Sequence, residues 1–379
     1  MYRRFICFPV EAEGGRRSVS TFEIEDEAIY VVARLSGEGN DRLPDKGDFQ
    51  LTDSEVRDIL ALDRAYDRFM LIVNAGGPVD LTPVAGVGNI LVASQLGVEM
   101  GAAVADVLLG ISYPSGKLAT TWAACDDYCQ LGDFAQPDDT RYREGIFVGY
   151  RYFDATSWSA RSSGSSGRSI SRKSTCGPAL NVHRNVLCGR NFEYYSEDPL
   201  VSGPFAAVLT RGVQAHPGRG VTVKHFAANN QETNRYANNS IVSERALREI
   251  YLKGFGICMR EAAPRALMTS YNLVNGTHTS ESLGLARILR HEFGFGGVVM
   301  TDWVVGGDLL TSGAKYPGPD PAKVAAAGCS LFMPGSKKDH EALLAGLAGG
   351  TVTREQLERN AAYLLRTLWE MRICQGLKP

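Results

Sequence analysis

Gly297-Val-Val-Met-Thr-Asp-Trp303 is an apolar run that ends on a carboxylate and an indole. Residues 297–300 read as a buried strand, and Asp302 falls just past its end. The same form recurs through the second half of the chain. Strands are expected at 179–182, 221–226 and 266–270, ending on His183, on Lys224 and His225, and on Tyr271. Helices are expected at 243–259 and 283–290, and from the Thr353-Arg-Glu-Gln356 capping box through Met371. Such alternation builds a parallel sheet covered by helices. In a (β/α) barrel the C-terminal strand ends share one face, so these polar groups are expected to converge there.

The first half alternates in the same way. A strand is expected at 28–33, a helix from the Thr52-Asp-Ser-Glu55 capping box to about Arg68, strands at 70–73 and 90–93, and a helix at 98–109. Between Thr156 and Thr175 the composition turns to Ser, Gly and Arg, too poor in apolar residues to offset its own ordering entropy. The predicted organisation is therefore a first domain over 1–155, a connector over 156–176 and a second domain over 177–379.

Composition narrows the function classes. The 379 residues are 44% hydrophobic and 22% charged, with a formal net charge of -2. That balance suits a globular protein and gives no reason to expect a nucleic-acid partner. No apolar run is long enough to span a bilayer, and the N-terminus turns acidic at Glu11 before a signal-peptide core develops, so no membrane partner is expected. The 8 cysteines are scattered; only Cys125 and Cys129 lie close, and no second pair completes a zinc site. No metal is expected, and free thiols in a cytoplasmic protein are the expectation. Gly86-Val-Gly88 lacks the third glycine of a dinucleotide fingerprint, and no phosphate loop is present, so no cofactor is expected either.

Asp302 beside Trp303 has the chemistry to attack an anomeric carbon, because an ionised oxygen can face the sugar while an indole packs on its apolar side. A helix N-cap is the other reading of the same aspartate. Lys224 and His225 could donate to sugar hydroxyls or join a structural ion network. Arg190 could hold hydroxyls through its planar fork or pair with Glu193 or Glu197. Tyr271 could bond a carboxylate or fill a rim. Glu38 lies in the Gly-flanked turn Ser36-Gly-Glu-Gly39, where glycines let the backbone turn sharply and present one carboxyl.

Taken together, Gly177-Pro-Ala-Leu-Asn-Val-His-Arg-Asn185, Cys188-Gly-Arg-Asn-Phe-Glu-Tyr-Tyr-Ser-Glu-Asp-Pro199, Lys224-His-Phe-Ala-Ala-Asn-Asn-Gln-Glu232 and Val299-Met-Thr-Asp-Trp303 resemble the barrel of glycoside hydrolase family 3 β-glucosidases. In the first half, Ser36-Gly-Glu-Gly-Asn-Asp-Arg42, Ile72-Val-Asn-Ala-Gly-Gly-Pro-Val-Asp80, Pro114-Ser-Gly-Lys-Leu118 and Tyr142-Arg-Glu-Gly-Ile-Phe-Val-Gly-Tyr-Arg-Tyr-Phe-Asp154 resemble the same family's α/β sandwich. The resemblance implies an α/β fold in reversed domain order, a partial α/β sandwich followed by a partial (β/α)8 TIM-type barrel. The family's Asp-Gly-Pro segment is not matched before Gly177, and about 200 residues after the connector are fewer than the ~250 of a whole barrel. The sandwich's opening strands and the small β-domain after Asp154 are also unmatched.

By the same resemblance Asp302 corresponds to the nucleophile and Glu38 to the general acid/base. Arg190, Lys224, His225, Arg235 and Tyr271 correspond to residues around the sugar, with Trp303 beside it. The implied activity is retaining β-glycoside hydrolysis by double displacement on an oligosaccharide or aryl β-glycoside, with β-xylosidase specificity as an alternative. A catalytically weak remnant that binds sugars or folds only in part is the rival reading. Unpaired edges on an incomplete barrel further imply association with another chain, a homo-oligomer included.

Overall fold

The computed structural model describes residues 27–129, 133–155, 176–305, 311 and 313–371. The readings of the N-terminal stretch and of residues 156–175 of the connector lie outside the described residues.

In the first half β1 (Glu27–Arg34), β2 (Arg68–Ala75) and β3 (Ile90–Val92) form a parallel sheet in that order. The helix Asp53–Ala65 connects β1 to β2. It starts where its capping box sets it: Thr52 accepts from the Glu55 N–H, and the Glu55 carboxylate accepts from the Thr52 N–H at 2.8 Å. Glu55 is also gripped by both terminal nitrogens of buried Arg34, at 2.9 and 2.7 Å, which ties the helix to the end of β1. Val32, Ile59, Leu71 and Val73 close the core between them. The helix Met100–Leu108 forms as expected, but none of its side chains is buried.

The later strands are β4 (Asp139–Arg141), β5 (Cys176–Ala179), β6 (Thr222–Phe226), β7 (Asn239–Ile241), β8 (Ala266–Thr269), β9 (Leu273–Val274), β10 (Thr277–His278), β11 (Val298–Trp303) and β12 (Leu331–Met333). β5, β6, β8, β11 and β12 lie side by side in chain order, all parallel, as successive β/α units do in a barrel. Among the described residues this sheet does not close: β5 and β12 are its edges. The expected strand at 179–182 sits earlier, at Cys176–Ala179. β12 was not anticipated, because three half-buried residues make too short an apolar run to stand out. The helix at 243–259 forms from Glu244, passes a wider turn at Leu247–Tyr251 and ends at Ala262, where Ala263 adopts a left-handed conformation. It packs Phe255 edge-on against Phe226 of β6.

Among the contacts that unite the halves are a small shared sheet and an apolar cluster. β4, from the first half, runs parallel to β7, with Asp139 opposite Asn239, in a small sheet of order β10-β9-β7-β4. Phe49, Cys125, Tyr128 and Phe153 of the first half bury together with Val186 and Leu187 of the second. Each large apolar side chain contributes about 1.5–3 kcal/mol when fully buried, against about 0–1 for an exposed ion pair. The apolar cluster therefore contributes more than any exposed ion pair between the halves, and buried polar contacts such as Arg184 with Glu144 add to it.

Candidate active site

β11 carries Asp302 and Trp303 to its C-terminal end. Asp302 is 4% exposed; its Oδ1 accepts from the Trp303 N–H at 2.7 Å, while among the described residues its Oδ2 is buried without a well-aligned hydrogen bond, the Tyr271 hydroxyl interacting with the carboxylate. Burial raises the Asp302 pKa, and the Trp303 N–H and the Arg190 charge pull it back only in part. The Trp303 ring is half exposed next to it.

β6, separated from β11 by β8, delivers Lys224 and His225 to the same end of the sheet. His225 is buried, and burial followed by the charges of Arg190, Lys224 and Arg235 holds its pKa far below the usual imidazole value. The ring is therefore neutral, and its contacts set the tautomer: Arg190 Nη2 donates to Nε2 at 2.9 Å, so the proton sits on Nδ1, which faces Asn181 Oδ1 at 3.3 Å. The 3.8 Å between His225 Nε2 and Asp302 Oδ2 is accordingly not an ion pair.

The short turn Gly189–Glu193 supplies Arg190. Its Nε donates to Glu193 Oε1 at 2.5 Å, and Glu193 Oε2 stands 3.1 Å from Lys224 Nζ. One carboxylate thus clamps two cations, realising the ion-pair reading of Arg190 and the network reading of Lys224 together. Among the described residues Arg190 Nη1 has no hydrogen bond; it is buried 3.6 Å from Glu38 Oε1. A buried guanidinium nitrogen left so costs free energy that a ligand's hydroxyls would recover.

Arg235 is a second hub. Its Nη1 lies 2.8 Å from Glu38 Oε1 and 2.7 Å from Glu232 Oε2, and its guanidinium covers the rings of Tyr236 and Tyr271 at 5.0 and 4.9 Å. Tyr271 is buried, and burial followed by the Asp302 charge pushes its hydroxyl pKa up strongly.

Glu38 reaches this cluster from the first half, on the tight turn that follows β1. Burial raises its carboxyl, but Arg190 and Arg235 outweigh that and hold it below the ordinary value. Without ligand, then, it is an ionised partner of two arginines rather than a poised acid.

The structure thus brings Asp302, Glu38, Arg190, Lys224, His225, Arg235, Tyr271 and Trp303 to one place. His183 is the exception among the strand-end groups expected there. It is tied to Thr120 and, through Nε2, to the Tyr194 carbonyl at 3.0 Å, and burial lowers its pKa to about 4. It is a satisfied structural histidine. Sequence reasoning gave no role to Asp41, Glu232 or Tyr236. Glu232 ends one of the quoted stretches, but only the folded chain sets it against Gly39 and Arg235. Among the described residues no group of three His, Cys, Asp or Glu is placed to hold a metal, and no helix is long and apolar enough to cross a membrane.

Residues 12–150 match the glycosyl hydrolase family 3 C-terminal domain, and residues 161–367, more than half of the chain, match the glycosyl hydrolase family 3 N-terminal domain. A beta-glucosidase of Ruminococcus albus is 43% identical over 192 residues, 50% of this chain and 20% of that protein. Beta-glucosidase A of Butyrivibrio fibrisolvens is 55% identical over 127 residues, 33% of this chain and 15% of that protein. Against both relatives the chain spans a fifth of the length or less. The solved structure of a beta-glucosidase from Paenibacillus barengoltzii superposes with a TM-score of 0.78 over 91% of this chain and 72% of its own, at 19% identity, which speaks to the fold alone.

Proposed function

The chain belongs to glycosyl hydrolase family 3, with its C-terminal-domain match preceding its N-terminal-domain match, and on that premise we propose that it is a retaining β-glycosidase of the β-glucosidase type. The substrate is an oligosaccharide or aryl β-glycoside with a terminal non-reducing β-linked sugar. Asp302 attacks the anomeric carbon while Glu38 protonates the leaving oxygen; Glu38 then deprotonates the water that frees the sugar with its configuration retained. Arg190, Lys224, His225, Arg235 and Tyr271 hold hydroxyls, and Trp303 offers an apolar plate to the ring. The reaction as written needs no cofactor.

The observation that carries this reading is the meeting of Glu38, from the first half, with Arg190 and Arg235 beside His225 and Asp302 at the C-terminal end of parallel β/α strands. For Glu38 to act as an acid, the sugar must take over its arginine partners, which lets its pKa rise. The test is hydrolysis of a chromogenic β-glucoside by the purified chain, with Asp302→Ala as control and the anomeric configuration of the product read by NMR. Hydrolysis with retention, lost in the variant, is expected; no hydrolysis by the unaltered chain overturns the proposal. Rates on the matching xyloside decide between glucosidase and xylosidase specificity.

Among the described residues the five-stranded sheet does not close, which favours a second reading, a catalytically weak remnant that still binds sugars. Sugar binding by calorimetry without turnover would favour it. The compartment we propose is the cytoplasm, which fractionation of the source cells tests.

A further inference from the structure

Glu38 lies on a turn of the first half, yet its candidate chemistry is on the second. Something must set that turn to within a fraction of an ångström. Three residues after Glu38, Asp41 turns its carboxylate into the other half. Oδ1 accepts from the backbone N–H of Glu232 at 2.9 Å and of Gly189 at 3.2 Å; Oδ2 accepts from the Glu232 N–H at 3.0 Å, the Thr233 N–H at 2.8 Å and the Thr233 hydroxyl at 2.7 Å. The reverse contact comes from the same loop. Glu232 Oε2 accepts from the Gly39 N–H at 2.8 Å, and that oxygen also faces Arg235 Nη1 at 2.7 Å. Glu232 is 3% exposed, and among the described residues its Oε1 is buried without a partner.

From this reciprocal geometry we infer that Asp41 and Glu232 are positioning residues, a two-way latch that sets the Glu38 carboxyl against Arg235 and the sugar site. The inference rests on the hydrolytic reading of Glu38. Each half contributes one carboxylate to the other half's backbone, on the C-terminal flank of Glu38. Arg235 then bridges Glu232 to Glu38 itself, so a slip in the latch moves the acid and its arginine together. Asp41→Asn would turn an amide donor toward N–H groups that need an acceptor.

Two measurements on the full chain test this. In hydrolysis, Asp41→Asn should lower kcat/KM on phenyl β-glucoside at least about tenfold and on dinitrophenyl β-glucoside less than about twofold, since only the poor leaving group needs a well-placed proton. In hydrogen exchange, the same variant should speed the amides of segment 36–42 at least about tenfold while those of 68–75 stay unchanged. Thr233→Val removes one donor and keeps the side chain's shape, and it should move both readouts the same way by less, which covers the case in which Asp41→Asn does not fold. Equal losses on both glucosides, or unchanged exchange at 36–42, overturn the inference. An unaltered chain that cleaves neither glucoside overturns the proposed function instead, and exchange alone then decides the latch.

Discussion

Gly189 lies so close to Asn40 that a methyl group on its Cα would stand 1.8 Å from the Asn40 carbonyl oxygen. The turn that carries Glu38 is laid directly on the turn that carries Arg190, backbone to backbone. Ser36 Oγ donates to the Gly189 carbonyl at 2.6 Å and the Arg42 N–H to the Leu187 carbonyl at 2.7 Å, so no relaxed alternative is at hand. Gly189→Ala is therefore expected to cost about 3 kcal/mol or more. Urea unfolding should show the loss, and limited proteolysis should show the halves parting. Wild-type stability in this variant would mean that the halves meet differently in solution.

Asp302 is held in a site that works against its charge. Because burial raises its folded pKa, ionisation penalises the fold: the penalty is absent below the unfolded carboxylate value and complete above the raised folded one. Asp302→Asn should thus raise Tm at pH 7 while lowering turnover by on the order of 10⁴-fold or more. Azide should restore part of the activity of Asp302→Ala, with inversion. A variant that hydrolyses normally would leave Asp302 as a structural residue.

Glu38 has the opposite sign. Its folded pKa is depressed by Arg190 and Arg235, so its ion pairs stabilise the fold above the ordinary carboxylate value and lose that effect as pH falls through the lowered one. Arg235→Ala should move the Glu38 pKa upward. In kcat/KM for a poor leaving group, the alkaline limb should shift to higher pH even as the overall rate drops. A limb that does not move would separate Glu38 from the proton transfer.

Among the described residues the five-stranded sheet ends at β5 and β12, with Ala179 of β5 bridging to Tyr194, and the helix Pro199–Gln214 exposes Leu200, Phe205 and Val208 at 54%, 60% and 60%. Each such side chain gains about 1.5–3 kcal/mol on full burial. The chain is expected to self-associate as concentration rises, and the double change Phe205→Lys with Val208→Glu should reduce that association in light scattering. A monomer at all concentrations would show that these faces are covered within the chain.

Strands 221–226, 266–270 and 297–300 and both capping boxes were readable because each is a local pattern: an apolar run, or a hydroxyl three residues before a carboxylate or amide. The strand β4 was not readable, since Asp139 pairs with Asn239 far along the chain and neither is apolar. In the site, Asp302 was open between nucleophile and cap on its own chemistry, and the family motif tipped it. Glu193 was visible only as one of two partners for Arg190, and the structure selects it.

The sequence by itself determined the α/β alternation, the family and the residue types that converge, because periodicity, caps and motif order are properties of neighbouring residues. Tertiary structure alone decided that His183 stays out of the cluster, that Glu38 is already engaged by two arginines, and that Asp41 accepts from the Glu232 backbone while Glu232 accepts from that of Gly39 across the two halves. Those facts depend on distances between segments far apart in the sequence, more than a hundred residues for Glu38, Asp41 and Glu232, and on how far burial outweighs charge at each group, and neither is a property of the chain until it has folded.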